Sequence, residues 1–278
     1  MTGSHGFVGT NLIEALSDEH DIIRWDVRLD NEIPDCDAVI HLAGKAHDTK
    51  NTTNAEEYFK VNTELTKKIF DAFVKSSAKM FIFFSSIKAQ DNDTPYARSK
   101  KAAEDYIVST GSTIAKKVYI LRPCMIHGKG VKGNLPLLFK FVRKGWPWPF
   151  AAFENHRSYA SIGNVSYVVE QLLNQEVDSG TYNLCDDEPV STNELIRLIC
   201  ERIGRKAKMI RVPKAVVYFG AKIGDCLHLP LNTERIGKLT GDNVIDNSKL
   251  KRSLCIDHLP IKAADGLKTS IENMITRL

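Results

Sequence analysis

Tyr96 and Lys100 are the two residues whose types and spacing most directly suggest chemistry. Residues four apart in a helix lie one turn apart on the same face, so the phenol and the ammonium would be neighbours. A nearby cation favours the phenolate and would lower the Tyr96 pKa from about 10 towards neutrality, which makes a tyrosine usable as an acid or a base. The spacing alone is weak evidence, because a solvated helix face can carry the same pair.

A second group of residues suits a phosphate ligand. Gly3, Gly6 and Gly9 are three residues apart and precede a helical pattern from Asn11 to Leu16. Such glycines permit a tight turn, close approach of the backbone to a pyrophosphate and close packing of the helix, whose N-terminus faces the phosphates. The residues expected to bind a dinucleotide here are Gly3, His5, Gly6, Phe7, Val8 and Gly9.

The strand that should lead into this turn is almost absent. Only Met1 and Thr2 precede Gly3. Either the start of the chain is assigned too late, or the sheet lacks one of its strands, and we favour the first explanation. The first strand is therefore predicted to be truncated.

Residues 20–26 predict a short strand that ends in Asp26. An acid about 20 residues beyond the glycine turn can accept hydrogen bonds from the adenosine ribose hydroxyls. Asp26 therefore favours NAD over NADP, although Arg24 and Arg28 leave NADP as an alternative. A purely structural role for Asp26, as a strand end, is the competing interpretation.

The following segments predict the elements that would position these residues. Residues 35–44 indicate a loop, a buried strand and a turn that contains Leu42 and Ala43, both expected beside the cofactor. Residues 54–76 predict a long amphipathic helix with Asn62 on its inner side, whose amide could hold a neighbouring strand or loop.

The next strand, Met80 to Phe84, ends at Ser85 and Ser86. A hydroxyl there lies at the sheet edge where ligands bind in open α/β folds. Pro95 then marks the start of the helix that carries Tyr96.

A further strand at residues 118–121 completes an alternation of strands and helices, which predicts an α/β fold with a parallel, doubly wound sheet. We expect residues 1–123 to be mainly a dinucleotide-binding domain. Residues 124–278 would be mainly a smaller, interleaved substrate lobe, with some segments that return to the first domain.

The second half contains a basic glycine loop at residues 128–133, a helix from Asn134, and an aromatic segment at residues 146–150. Basic loops beside aromatic rings suit a ligand with phosphates and a stackable base. Two alternatives stay open at this point. At least one of Trp146 and Trp148 would fill a core, and Arg157 could be an ordinary surface cation.

Composition excludes several classes of protein. The net charge of +4 is too small, and the Lys and Arg residues are too scattered along the chain, to indicate nucleic acid binding. The six cysteines are far apart, which predicts reduced, mostly buried thiols in a cytoplasmic protein and neither disulfides nor a metal site. No apolar run reaches about 18 residues and no signal peptide is present, so no membrane span is predicted.

In this order, the glycine turn, Asp26, Ser86 and the Tyr96/Lys100 pair resemble an extended short-chain dehydrogenase/reductase, and more narrowly the NAD-dependent epimerase/dehydratase family. The similarity covers nearly the whole chain. The run from Ser85 to Lys88 is similar to bacterial UDP-N-acetylhexosamine 4-epimerases and 4-keto-sugar 4-reductases of surface-polysaccharide pathways.

The resemblance implies a Rossmann fold, bound NAD or NADP, a UDP-sugar substrate and a homodimer. It implies that Tyr96 exchanges a proton with the sugar 4-oxygen, and that Ser86, or less favourably Ser85, hydrogen-bonds that oxygen. Lys100 would hold the nicotinamide ribose and lower the Tyr96 pKa. Among the remaining site residues, Asn62 would lie at the cofactor, and Asn134 and Arg157 would hold the nucleotide diphosphate.

The resemblance also indicates which reactions of the family are expected here. Sugar 4,6-dehydratases carry an Asp-Glu pair directly after the active-site hydroxyl residue, and Ile87 and Lys88 stand there instead. A 4-epimerase and a 4-keto-sugar reductase both remain, since the same three residues serve either reaction. A non-catalytic dinucleotide-binding protein is the third hypothesis, and it is less favoured because both Tyr96 and Lys100 are present.

Overall fold

A computed structural model describes residues 1–27, 32–46, 54–91, 93–227 and 232–276. The chain divides into two compact units, each built from three segments. The first unit contains Met1–Cys124, Ile162–Cys185 and Asp246–Pro260. The second contains Met125–Ser161, Asp186–Ile245 and Ile261–Leu278. Two later segments therefore return to the N-terminal unit.

The first unit is organised around a parallel sheet. Its four strands are β1 (Ala38–His41), β2 (Met80–Phe84), β3 (Lys117–Pro123) and β6 (Gly180–Leu184). They pair in parallel in the order β1-β2-β3-β6. Strands covered on both faces need continuous apolar sequences, and the run Met80–Phe84 has this character. The prediction of a parallel α/β fold is confirmed.

Helices of the first unit precede or follow these strands. They are α1 (Phe7–Leu16), α2 (Ala55–Tyr58), α3 (Leu65–Lys75), α4 (Pro95–Gly111), α6 (Ile162–Asn174) and α10 (Ser248–Ser253). A π-helical segment, Phe59–Glu64, joins α2 to α3, so the helix predicted at residues 54–76 forms with one wider turn in it. α4 begins as predicted, with Pro95 in its first turn and the Thr94 hydroxyl accepting from the Ala97 amide.

The start of the chain occupies a strand position beside β1. Thr2 donates its amide to the Ile40 carbonyl at 3.0 Å and forms an isolated parallel bridge with His41. On the other side, the Trp25 amide donates to the Met1 carbonyl at 2.9 Å. The strand predicted at residues 20–26 is wrong, because two residues beside it offer too few partners to build a ladder.

The second unit holds a short parallel pair, β4 (Met125–His127) with β5 (Tyr159–Ser161). The described part of this unit also contains the helices α5 (Asn134–Arg143), α7 (Thr192–Arg202), α8 (Lys214–Cys226), α9 (Thr233–Thr240) and α11 (Ala263–Ile275). The predicted helix from Asn134 is confirmed. Trp148 is buried in the core of this unit, whereas Trp146 is 56% exposed.

All six cysteines are free thiols. Cys124, Cys185 and Cys200 are buried, but Cys226 and Cys255 are exposed, so the expectation of mostly buried thiols holds for only half of them. Among the described residues, no helix is long and apolar enough to cross a membrane.

Candidate functional site

The glycine turn forms a close-packed cradle beside β1. Gly3 has a left-handed backbone (φ +63°), and a Cβ there would lie 2.7 Å from the Ala43 amide nitrogen. A Cβ on Gly9 would lie 2.5 Å from the Gly3 carbonyl oxygen. Both positions therefore require glycine, whereas a Cβ on Gly6 would meet only that same oxygen, at 3.2 Å.

The start of α1 fits a pyrophosphate. The helix begins at Phe7, and its N-cap, Gly6, supplies no side-chain hydrogen bond to the first turn. The first amides of a helix have no partner within it and carry the positive end of the helix dipole. An uncapped N-terminus behind a glycine cradle is the arrangement that dinucleotide phosphates require. Phe7 and Val8 are half-buried in this first turn, and His5 is exposed with its Nδ1 3.3 Å from the Ser4 hydroxyl.

Thr2 fixes the turn that follows β1. Its hydroxyl oxygen accepts from the amides of Leu42 and Ala43, each at 3.1 Å, and lies 2.7 Å from His41 Nδ1. Thr2 is fully buried. The small-residue turn predicted to lie beside the cofactor is thus held against the glycine cradle by one side chain.

His41 continues this network into the helix behind it. Its Nε2 lies 3.0 Å from the Thr66 hydroxyl, which in turn donates to the Asn62 carbonyl at 2.7 Å. Since the Thr66 proton is used there, His41 Nε2 must carry its own proton and donate. Burial, together with the charge of Lys100, lowers the pKa of His41 to about 3, so the ring is neutral.

Asn62 holds the same turn from the π-helical segment. Its side-chain oxygen accepts from the Lys45 amide at 2.7 Å, and its nitrogen donates to the Lys45 carbonyl and the Ser99 hydroxyl, each at 3.1 Å. The amide holds a neighbouring loop, as predicted. Because Asn62 is fully buried and its amide is engaged on both sides, these contacts position the loop rather than offer a free group.

Ser86 and Tyr96 meet beyond the carboxyl end of β2. Ser86 begins a 3₁₀ turn, Ile87–Gln90, and its hydroxyl accepts from the Lys88 amide at 3.3 Å. The same hydroxyl is hydrogen-bonded to the Tyr96 phenol. Tyr96 is 9% exposed and packs edge-on against Tyr58, with ring centroids 5.8 Å apart.

The pKa of Tyr96 differs from the sequence-based expectation. Burial raises it above its ordinary value of 10, the hydrogen bond with Ser86 offsets part of this, and Tyr58 adds to the rise. The predicted lowering by Lys100 is wrong for this structure. The Lys100 ammonium instead donates to the Phe84 carbonyl at 2.9 Å and lies 4.9 Å from the centroid of the Phe83 ring.

Lys100 is itself perturbed. The residue is 6% exposed, and burial lowers the pKa of its ammonium from 10.5 to about 8, while Glu104 opposes the change. A Cβ on Gly44 would lie 3.3 Å from Lys100 Nζ, so the ammonium also borders the turn after β1. A buried amine beside a buried phenol is the kind of perturbed cluster that marks functional sites.

The Ser85 hydroxyl lies at the same edge of the sheet. Its oxygen is buried and has no hydrogen-bond partner among the described residues. Buried polar atoms are normally paired, so an unpaired hydroxyl between β2 and Ser86 fits a site that takes a polar ligand.

Asp26 lies half-buried, one residue after the Trp25 amide that bonds to Met1, and therefore near the glycine turn. Arg28, considered with it for cofactor choice, lies outside the described residues.

Asn134 and Arg157 belong to the second unit. Asn134 is exposed and begins α5 after Gly133, which has a left-handed backbone (φ +92°). Arg157 is half-buried, and its Nη1 donates to the Lys238 carbonyl at 2.6 Å. Arg157 therefore has a partner in its own unit, and the diphosphate contacts predicted for both residues stay predictions.

These features together define an extended short-chain dehydrogenase/reductase. The sheet is parallel and doubly wound, and a glycine cradle follows its first strand position. Its carboxyl edge carries Ser86, Tyr96 and Lys100. The family model for the NAD dependent epimerase/dehydratase family matches residues 1–185. The chain belongs to this family.

Two relatives indicate the reactions found in the family. A UDP-glucose 4-epimerase of Vibrio cholerae is 31% identical to this chain over 297 residues, which cover 91% of this chain and 88% of that enzyme. A UDP-2-acetamido-2,6-beta-L-arabino-hexul-4-ose reductase of Pseudomonas aeruginosa is 32% identical over 144 residues, which cover 48% of this chain and 37% of that enzyme.

A solved structure shares the fold. The UDP-glucuronic acid 4-epimerase of Bacillus cereus, in complex with NAD, superimposes with a TM-score of 0.75 over 99% of this chain and 97% of that one. The two sequences are 17% identical, so this likeness concerns the fold.

Proposed function

We propose that this protein is an NAD-dependent 4-epimerase of a UDP-hexose or UDP-N-acetylhexosamine, in the synthesis of surface-polysaccharide precursors. The hydrogen-bonded Ser86 and Tyr96 pair beside the buried Lys100 carries the proposal. These side chains form a site for moving one proton at a sugar oxygen, and no described feature offers the second acid and base that a dehydration needs.

The residues around the glycine cradle fit a dinucleotide. Gly3, Gly6 and Gly9 would admit the pyrophosphate at the start of α1, and Asp26 would accept from the adenosine ribose. Leu42 and Ala43 would line the path of the cofactor, held there by Thr2. When bound, NAD supplies the hydride acceptor and donor. NADP remains the alternative cofactor.

Each side chain at the carboxyl edge then has one task. Ser86 would hydrogen-bond the sugar 4-oxygen and orient it towards Tyr96. Tyr96 would donate its proton to that oxygen when the 4-keto sugar is reduced, and take a proton from it when the 4-hydroxyl is oxidised. The raised pKa of Tyr96 keeps the phenol protonated in the free protein, so Tyr96 must release its proton once NAD and the sugar are bound before it can take one from the 4-hydroxyl. Lys100 would donate to the nicotinamide ribose.

The epimerase is favoured over the reductase by the extent of the similarity. The 4-epimerase of Vibrio cholerae matches across 91% of this chain, whereas the Pseudomonas reductase matches 48% of it. The reductase of a UDP-4-keto-6-deoxy-N-acetylhexosamine is the second candidate, because Ser86, Tyr96 and Lys100 would serve it equally well.

The second unit would hold the nucleotide end of the substrate. Asn134 at the start of α5 and Arg157 are the groups proposed for the diphosphate, Arg157 by charge-assisted hydrogen bonds. We also propose a homodimer that works in the cytoplasm. The six free thiols are compatible with a reducing compartment.

The proposal is tested by measuring which sugar forms and whether NAD is consumed. The protein is incubated with UDP-N-acetylglucosamine or UDP-glucose and a catalytic amount of NAD, and the sugar is followed by NMR. We expect the C4 epimer to form with no net change in NADH absorbance. Failure to convert either sugar, with stoichiometric NADPH or NADH oxidation in the presence of a UDP-4-keto sugar, would replace the epimerase with the reductase.

A further inference from the structure

Helix α8 of the second unit is anchored by one face only. Val217 and Ala221 on that face are buried and belong to a small apolar cluster with Phe153 and Ile236. This cluster holds α8 against the aromatic segment and α9. The helix therefore has a defined inner side, and its remaining circumference lies at the surface.

The outer side of α8 is also apolar. Val216, Phe219 and Ile223 are 57%, 68% and 44% exposed. Their spacing of three and then four residues puts the three side chains on one stripe, away from the buried residues. Large apolar groups scattered singly on a surface are ordinary, but a contiguous stripe marks an interaction site.

Positive charge accumulates in the segment that leads into α8. Residues 202–224 contain seven basic residues and no acidic one, and all seven are exposed: Arg202, Arg205, Lys206, Lys208, Arg211, Lys214 and Lys222. Arg202 pairs with Glu272. Within the described part of the chain, Lys206, Lys208 and Arg211 have no carboxylate at ion-pair distance.

An exposed indole lies next to the basic residues. A cavity of about 350 Å³ is bordered by Trp146 together with Arg205, Lys206 and Lys208. Lys144 lies 4.7 Å from the centroid of the Trp146 ring. Indoles with neighbouring cations are typical of the boundary between lipid headgroups and acyl chains.

We propose that α8 and the basic segment before it form a contact surface for an anionic phospholipid membrane. The stripe of Val216, Phe219 and Ile223 would lie in the headgroup region with its side chains towards the acyl chains, and the Lys and Arg side chains would face lipid phosphates. The contact is peripheral, and it does not depend on the proposed activity.

The chemistry of the surface favours lipid over other partners. Two of the three side chains in the stripe, Val216 and Ile223, are aliphatic, and none of the three has a hydrogen-bonding group for a nucleic acid base. The cores of protein interfaces are depleted in Lys, whereas this surface is rich in it. Apolar side chains combined with uncompensated basic ones match the two parts of an anionic membrane surface.

Vesicle flotation of the full chain tests the proposal. Vesicles of phosphatidylethanolamine with phosphatidylglycerol are compared with vesicles of phosphatidylcholine alone. We expect binding to the anionic vesicles that weakens as salt is added. The F219Q/I223Q variant, and separately the K206Q/K208Q/R211Q variant, should each lower the partition coefficient at least about tenfold.

The matched control is Leu137→Gln, which removes a side chain 59% exposed on α5 of the same unit. It should leave the partition coefficient unchanged. Absence of binding to anionic vesicles, or an equal loss in the Leu137 control, would overturn the proposal. A dimer in light scattering that F219Q/I223Q dissociates would also overturn it, since a second copy of the chain would then cover the stripe.

Discussion

Replacing Lys100 with methionine should make the protein more stable while it abolishes turnover. The residue is 6% exposed, so its ammonium has lost most of its hydration. The pKa falls from 10.5 to about 8, which corresponds to roughly 3.5 kcal/mol of unfavourable charge burial at about 1.4 kcal/mol per pH unit. Methionine has a similar length and carries no charge to bury.

Part of this gain is lost with the hydrogen bond to the Phe84 carbonyl. A hydrogen bond from a charged donor contributes about 1.5–3 kcal/mol, so we expect a net stabilisation of about 0.5–2 kcal/mol. For a chain of this size, the midpoint of thermal unfolding should rise by roughly 1–8 °C.

The lowered pKa of Lys100 also determines how the stability difference between K100M and the wild type changes with pH. Below pH 8 Lys100 is charged in both the folded and the unfolded protein, so the penalty is fully present. Between about 8 and 10.5 the folded protein releases the proton first, and the wild-type chain regains stability as the pH rises. The advantage of K100M should therefore be largest below pH 8 and shrink above it.

Unfolding followed by circular dichroism, without cofactor, measures both effects. Lys101→Met is the control, since Lys101 is a half-buried neighbour paired with the exposed Asp105, and its loss should change stability by less than about 1 kcal/mol. A K100M variant less stable than the wild type at neutral pH, or a difference that is constant from pH 7 to pH 10, would refute the reasoning.

Three further predictions concern the cofactor cradle. Gly9→Ala should destabilise the fold by about 1–3 kcal/mol in urea titrations, because its Cβ would lie 2.5 Å from a backbone oxygen. The free energy of unfolding of Gly6→Ala should instead lie within about 1 kcal/mol of the wild-type value. Equal costs for the two would contradict the close packing. Asn62→Ala should cost about 2–4 kcal/mol and weaken NAD binding in calorimetry, since the Lys45 backbone loses both partners; unchanged affinity would show that the loop holds its place unaided. Because the pKa of His41 is about 3 when folded and 6.5 as a free group, its unfolded form binds the proton first as the pH falls. His41 should thus add about 1.4 kcal/mol per pH unit to the loss of stability between about 6 and 4, and H41N should show a slope smaller by that amount in urea titrations. An identical slope would show that folding does not lower the pKa of His41.

Local patterns in the sequence predicted most elements of the first unit. The glycine spacing, the apolar run at Met80–Phe84 and Pro95 each act over a few residues, so the turn, the strand and the helix start follow from them directly. Asn62 could be identified because a buried amide interrupts an otherwise apolar helix face.

Features that depend on distant contacts were missed. The network through Thr2, His41 and Thr66 joins residues 39 and 25 positions apart, and no spacing rule reveals such pairs. The strand expected at residues 20–26 failed because its neighbour in the sheet is only two residues long. The direction of the Tyr96 pKa depends on burial and on where the Lys100 ammonium points, and neither quantity can be read from the spacing.

The basic segment at residues 202–224 shows a different limit of prediction from overall composition. A net charge of +4 over 278 residues conceals a stretch, 202–224, in which every charged residue is positive. Counting charges in short windows would have revealed it, but the adjacent apolar stripe becomes visible only once the inner and outer faces of α8 are distinguished.

Turnover of Tyr96→Phe tests the central claim most directly. The substitution removes the one hydroxyl proposed to exchange a proton with the sugar 4-oxygen, and Tyr106→Phe, on the same helix and bonded to Asp71, is its control. With UDP-N-acetylglucosamine or UDP-glucose as substrate, we predict that Y96F lowers kcat by at least about 10²-fold with little change in NAD affinity, while Y106F stays near the wild-type rate. Unchanged turnover in Y96F would contradict the assignment of Ser86, Tyr96 and Lys100 as the proton-transfer centre.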